Sequence, residues 1–338
     1  MGGLSDNSET TFARHWPAMS KIITLTMNPA LDIATSIEKV VHTEKLRCTT
    51  AKTQPGGGGI NVARVITRLD AGTTSTCVAV YPVGGFTGQL LTQALTQEGL
   101  NIRAITTHGD TRESFSVHET SSGKDFRFLL PGPILTADEW RACLESVLNM
   151  TDASDILIAS GSLPPGVPDD FLALLAKAAR EKKARLVLDS SGTPLKLALA
   201  QGVYLFKPSL TELEELVGKT LSTDAQRYEA AYNLVTQGQA HIVALSLGEE
   251  GVLLVTPSRV LRAPAIPVEV ISTVGAGDNF VAGFIWALQH QRPLDHCLAY
   301  GMASAAASLK NRDSNLCDPA VMHALYPQAK VFDISSQF

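Results

Sequence analysis

Short runs of β-branched and aliphatic residues recur through this chain, at residues 22–26, 156–159, 186–188, 203–206 and 242–245. Runs with no polar alternation suit strands buried on both faces. Helical patterns lie between several of them. Residues 170–182 place Phe171, Leu172, Leu174, Leu175 and Ala178 on one broad apolar face, and residues 224–237 do the same with Ala230, Ala231, Leu234 and Val235. Apolar strands alternating with amphipathic helices predict βαβ units and a parallel sheet covered on both sides, an α/β fold. With 338 residues there is room for two domains, or for one large α/β domain with an appendage.

Two stretches break the rhythm, 32–54 and 107–130. In the second, Ser114, Ser116 and His118 alternate with Phe115, Val117 and Glu119. Alternation with half-apolar faces suits a small exposed sheet. The two stretches read together as one flap-like sheet beside the main domain, with two separate surface hairpins as the alternative. Residues 1–18 are polar and lack the apolar core of a signal peptide. They are expected to be a disordered leader, with residues 19–330 as the folded domain.

Acidic residues outnumber basic ones by 33 to 28, a net charge of -5. A nucleic-acid-binding protein would carry a basic surplus or stripe, so that class is disfavoured. No apolar run approaches the ~18 residues that span a bilayer. Five cysteines are scattered with no C-x-x-C pair, which points to reduced thiols in a cytoplasmic protein.

The segment S-T-V-G-A-G-D-N-F at 272–280 carries the clearest chemistry. It opens a helix whose apolar face includes Phe280, Val281, Phe284, Ile285 and Leu288. Glycines let backbone amides approach a ligand, and a helix N-terminus offers unpaired N–H groups and a positive dipole end. Gly275, Ala276 and Gly277 thus form a candidate anion site suited to phosphate. Asp278 falls on the first turn, where a carboxylate can take a proton from a substrate hydroxyl, or can simply cap the helix. A second glycine segment, P-G-G-G-G-I-N at 55–61, leads into a helix with Ile60, Ala63, Ile66 and Leu69 on one side. Its glycines suit close approach of a ligand, and Asn61 could bond sugar hydroxyls or cap the helix.

Neither cluster is a standard nucleotide loop. G-x-G-x-x-G fails at Val62 and at Phe280, and Gly218-Lys219-Thr220 has Leu213 where a P-loop needs glycine. Asp32 follows the first strand. Lys45, Arg47 and Arg112 lie in the flap stretches and could grip a phosphate. Ser162, Lys207, Ser246, Gly248 and Gly251 all lie in turns after predicted strands. Polar strand ends converging on one edge of a parallel sheet define a phosphate-handling crevice.

On these residues the chain resembles the ribokinase-like (PfkB) family of carbohydrate kinases. The resemblance covers residues 20–320 and rests on the glycine segment at 56–61, S-G-S-L-P-P-G at 160–166, S-L-G at 246–248 and T-V-G-A-G-D at 273–278. The opening T-L-T-M-N-P-A-L-D at 24–32 is similar to the branch that phosphorylates sugar phosphates. It implies a three-layer α/β/α domain with a small β-sheet lid, and a homodimer in which two lids clasp. It implies ATP as donor, Mg²⁺ on the phosphates, and transfer to the 1-hydroxyl of fructose 6-phosphate. Tagatose 6-phosphate and fructose 1-phosphate are the alternative acceptors. Carried over by position, Asp278 is the base and residues 275–277 the anion hole. Asp32, Gly57, Gly58, Asn61 and Ser162 meet the sugar, and Lys45, Arg47 and Arg112 meet its phosphate. Lys207, Ser209, Ser246, Gly248 and Gly251 lie on the nucleotide side, with Glu212 toward magnesium and Ser272 and Val274 toward potassium. Two positions depart from the pattern. Ser209 stands where relatives have the asparagine of N-x-x-E, and Asp313 where they have a glycine. These departures motivate one further alternative, a sugar-phosphate-binding regulator without turnover.

Overall fold

The computed structural model describes residues 20–42, 45–71, 73, 75–311 and 316–337. The expected leader and Asp313 lie outside the described residues. The strands run in chain order as β1 (Ile22–Leu25), β2 (Ala30–Ile37), β3 (Lys52–Gly56), β4 (Cys77–Val83), β5 (Asn101–Thr106), β6 (Arg112–Glu119) and β7 (Lys124–Leu129). The later strands are β8 (Ile156–Ser160), β9 (Arg185–Asp189), β10 (Val203–Phe206), β11 (Ala240–Ser246), β12 (Val252–Val255), β13 (Val260–Ala263) and β14 (Phe332–Asp333).

Ten strands form one sheet in the order β14-β13-β12-β11-β10-β9-β8-β1-β4-β5. From β11 to β5 every pairing is parallel, whereas β12, β13 and β14 add an antiparallel edge. Successive strand residues feed opposite cores, as a period of two requires. Ile22, Ile156, Ile158 and Val187 join the core under the helices Gly58–Leu69, Ala276–Gln289 and Leu294–Leu309. Ile23, Leu157, Leu186 and Leu188 join the core under the helices Ala137–Met150, Phe171–Glu181 and Asp224–Thr236. The result is three layers, α/β/α. Among the described residues no helix is long and apolar enough to cross a membrane.

The two flap stretches supply a second sheet, β3-β2-β6-β7. Its central pair, β2 and β6, is parallel and in register from Ala30 opposite Arg112 to Ile37 opposite Glu119. The two stretches therefore pair with each other and are not separate hairpins. The boundaries expected from sequence are too simple, because residues 45–51 form no strand and are exposed.

Candidate active site

Because β11, β10, β9, β8 and β1 are parallel, their C-terminal ends share one edge, and each delivers a polar group there. In sheet order these are Ser246, Lys207, Asp189, Ser160 and Asn28. Above this edge lies a cleft of about 320 Å³, lined by Gly58, Ser160 to Ser162, Asp189 to Ser191, Glu212 and Asp278.

Asp278 stands on the first turn of the helix Ala276–Gln289. Gly275, at φ 77, is the N-cap, so Asp278 does not itself cap the helix. That left-handed turn is one glycine adopts without strain. The carboxylate is held from two sides: Asn61 Nδ2 donates to Oδ2 at 2.9 Å, and the Ser160 hydroxyl meets Oδ1 at 3.5 Å. Burial pushes the Asp278 carboxyl up, and the nearby Asp189 carboxylate adds to the rise. Asn61, Lys207 and Ser160 oppose it, and the group settles at about 6. Asn61 lies inside its helix, whose N-cap is Gly57, and is no cap either. Gly58 shows why the second glycine segment is needed. A Cβ there would overlap the Ser160 hydroxyl and come within 3.1 Å of Asp278 Oδ1.

Lys207 forms a buried ion pair with Asp189, Nζ to Oδ1 at 3.1 Å. Burial works against the ammonium charge, but Asp189, Glu212 and Asp278 together outweigh it and raise its pKa. For Asp189 burial wins instead and raises the carboxyl. The three-carboxylate surround of Lys207 is the firmer of the two effects, and we read the lysine as charged. A Cβ on Gly277 would lie 3.3 Å from Lys207 Nζ, so the ammonium sits against the glycine turn.

Ser209 and Glu212 form a capping box. The Ser209 N–H donates to Glu212 Oε2 at 2.7 Å, and the Glu212 N–H donates to Ser209 Oγ at 3.2 Å. One Glu212 oxygen is thus committed to the helix start. Among the described residues no group of three or more His, Cys, Asp or Glu is arranged to hold a metal ion. Glu212 and Asp189 do offer hard oxygen donors at the cleft. That suits magnesium, which takes one or two carboxylates and fills its shell with phosphates and water.

On the other flank, Asn28 Nδ2 donates to Ser162 Oγ at 3.1 Å. Arg112 donates through Nη2 to the Asn28 carbonyl at 3.1 Å and through Nη1 to the Leu130 carbonyl at 3.0 Å. Its Nε is buried without a partner. Asp32, in β2, lies opposite Ser114 and Gln54. Burial raises its carboxyl against the pull of Arg112, Arg127 and Arg64.

Asp278, Gly277, Asn61, Gly58, Ser162, Lys207 and Glu212 therefore gather around one cleft, and Arg112 reaches it through Asn28. Lys45 and Arg47 are exposed, in a stretch without strands. Ser246 bonds the Pro208 carbonyl at the far end of the row, with Gly248 and Gly251 in the following turn. The Ser272 hydroxyl accepts the Val274 N–H at 3.3 Å, just ahead of the glycine turn. Sequence reasoning missed Asp189. Asp189 could have been found by its place at a strand end, one strand from Lys207. The capping box was legible as S-x-x-E.

A carboxylate with a raised pKa, beside a helix N-terminus and a buried lysine, can take a proton while an anion is held. Residues 25–321 match the family described as pfkB family carbohydrate kinase. The chain belongs to that family and is a sugar-kinase phosphotransferase. It is 42% identical to the ATP-dependent 6-phosphofructokinase isozyme 2 of Mycobacterium tuberculosis over 298 residues, 88% of this chain and 86% of the relative. Against the Escherichia coli isozyme 2 the figures are 39% over 300 residues, 88% and 96%. The Bacillus subtilis 1-phosphofructokinase is 30% identical over 310 residues, 92% and 99%. The Escherichia coli phosphofructokinase-2 in complex with fructose-6-phosphate superposes with a TM-score of 0.86 at 37% identity, covering 92% of this chain and 99% of that one. The same enzyme in complex with potassium gives a TM-score of 0.87 at 38% identity, with the same coverage.

Proposed function

We propose that this sugar kinase transfers a phosphoryl group from ATP to the 1-hydroxyl of fructose 6-phosphate, giving fructose 1,6-bisphosphate. The observation that carries the reading is the Asp278 carboxylate, held by Asn61 and Ser160 at the mouth of a glycine turn. Asp278 takes the proton of the attacking hydroxyl. A pKa of about 6 leaves it mostly ionised at neutral pH, yet more basic than an ordinary carboxylate. The amides of Ala276 and Gly277, in the first turn where helical partners are lacking, hold the charge on the moving phosphoryl group. Lys207 adds a fixed positive charge beside them.

Gly57, Gly58, Asn61, Ser162 and Asp32 serve the sugar in this reading, and Arg112 its 6-phosphate, with Lys45 and Arg47 as further cations. Ser209, Ser246, Gly248 and Gly251 serve the nucleotide. Glu212 and Asp189 are the residues that would hold magnesium, which would supply positive charge against the phosphates. Ser272 and Val274 are the residues that would hold potassium. The reading includes a homodimer through the small sheet. Ile33, Phe115 and Phe128 stand side by side on one of its faces, with Phe115 40% and Phe128 56% exposed. It also places the protein in the cytoplasm, in keeping with free thiols at Cys77, Cys143, Cys297 and Cys317.

The test is kcat/KM for fructose 6-phosphate, tagatose 6-phosphate and fructose 1-phosphate in an assay coupled to ADP release. Fructose 6-phosphate should rank first. A clear lead for either competitor reassigns the acceptor, and sugar-phosphate binding with no ADP release makes the protein a regulator.

A further inference from the structure

We infer that Asn279 is a positioning residue that fixes the glycine turn 275–277 from behind; the role assigned to it rests on that turn being the anion hole. Asn279 is fully buried. Its side-chain N–H donates to the Gly275 carbonyl at 2.7 Å, and its Oδ1 accepts the Cys317 N–H at 2.7 Å. The same carbonyl also accepts the Asn279 backbone N–H at 3.0 Å. The other end of the segment is tied to a neighbouring part of the chain, since the N–H groups of Ile271 and Ser272 donate to the Leu309 carbonyl at 2.8 and 3.2 Å. The turn is therefore framed on one side by the end of the helix Leu294–Leu309 and on the other by the backbone at Cys317.

The physical reason is directional. A peptide's carbonyl and the next residue's N–H point opposite ways. Turning the Gly275 carbonyl toward Asn279 therefore sets the direction in which the Ala276 N–H points. A left-handed glycine gives little resistance to rotation by itself, because glycine occupies many backbone states. Donors fixed before the reaction need no reorganisation as charge develops, which is where preorganised amides gain their effect. Asn279 supplies both a donor and an acceptor in one short side chain, and serine or alanine cannot reach both partners.

Two variants separate this role from simple packing. Asn279→Leu keeps the shape and removes both bonds. Asn279→Asp keeps an acceptor for the Cys317 N–H but has no N–H for Gly275. Both should lower kcat at least about tenfold while KM for the phosphosugar stays within about twofold, the pattern of an interaction realised in the transition state. Hydrogen exchange of the intact protein gives a readout independent of turnover. The amide at 279, bonded to the Gly275 carbonyl, should exchange faster in both variants, whereas amides 316–318 should do so only in the leucine variant. Wild-type kcat in both variants, or exchange of the amide at 279 unchanged in the aspartate variant, overturns the inference. If wild type turns over no phosphosugar, the proposed function fails instead, and the exchange pattern still decides whether the clamp exists.

Discussion

The two sheets face their ligands on different terms. At the edge of the large sheet, Asn61 and Ser160 hold Asp278, Lys207 pairs with Asp189, and that ion pair lies near enough to act on the Asp278 carboxyl, all within a single chain. On the small sheet Arg112 is fixed and Phe115 and Phe128 are exposed, while Lys45 and Arg47 lie exposed in the strandless stretch between β2 and β3. By this contrast, the groups suited to proton transfer are preorganised by the α/β core. The groups suited to the sugar's phosphate belong to a surface that, in the proposed function, is completed by closure or by a second subunit.

Breaking the first region should have the largest effect. Asp278→Asn should cut kcat by about 10²–10⁴, the usual contribution of a positioned base, measured by ADP release. The same change should raise stability. An unfolded aspartate titrates near 3.8 and Asp278 at about 6, so the folded state binds the extra proton between those values. Stability therefore falls as pH rises through that window, by up to about 3 kcal/mol. Above pH 7 the asparagine variant should melt at a higher temperature than wild type. On the second region, Arg112→Lys keeps the charge but loses the planar fork. KM for the phosphosugar should rise by about tenfold or more, with kcat less affected. Phe115→Lys combined with Phe128→Lys should shift light-scattering mass toward the monomer and weaken phosphosugar binding. An unchanged mass would remove the small sheet from the interface. The smallest effect is expected at Ser209→Asn. Serine and asparagine cap helices about equally well, so turnover and melting temperature should change less than about threefold and about 2 °C.

Half of the large sheet was legible: β1, β8, β9, β10 and β11 stand out as mostly apolar runs, whereas β4, β5 and the antiparallel edge β12 to β14 were not read as strands. The runs at 156–159 and 203–206 correspond to β8 and β10 almost residue for residue. The small sheet was legible as one unit but not in its bounds. Its strands are half polar, and 45–51 has the same mixed character without pairing. The two glycine segments stand out in any reading, because glycine runs before a helix are costly unless a close approach requires them. That Gly58 makes room for Ser160 and Asp278 depends on strand order, which spacing does not encode. The Asp189–Lys207 pair has the same cause, since it joins the ends of adjacent parallel strands. Ser209 and Glu212 carry a second, local signal. Their spacing is a helix-start signature, and the family pattern drew attention only to a metal role.

Every proposed step depends on Asp278 acting as a carboxylate base whose proton affinity is raised by its surroundings. The pH dependence of kcat/KM in the wild-type enzyme is the sharpest probe of that role. The rate should rise with pH through an acid limb centred near 6 and level off above pH 7, with that limb absent from the residual activity of Asp278→Asn. A wild-type profile flat from pH 5 to 8, or a limb that persists unchanged in the variant, would rule the role out.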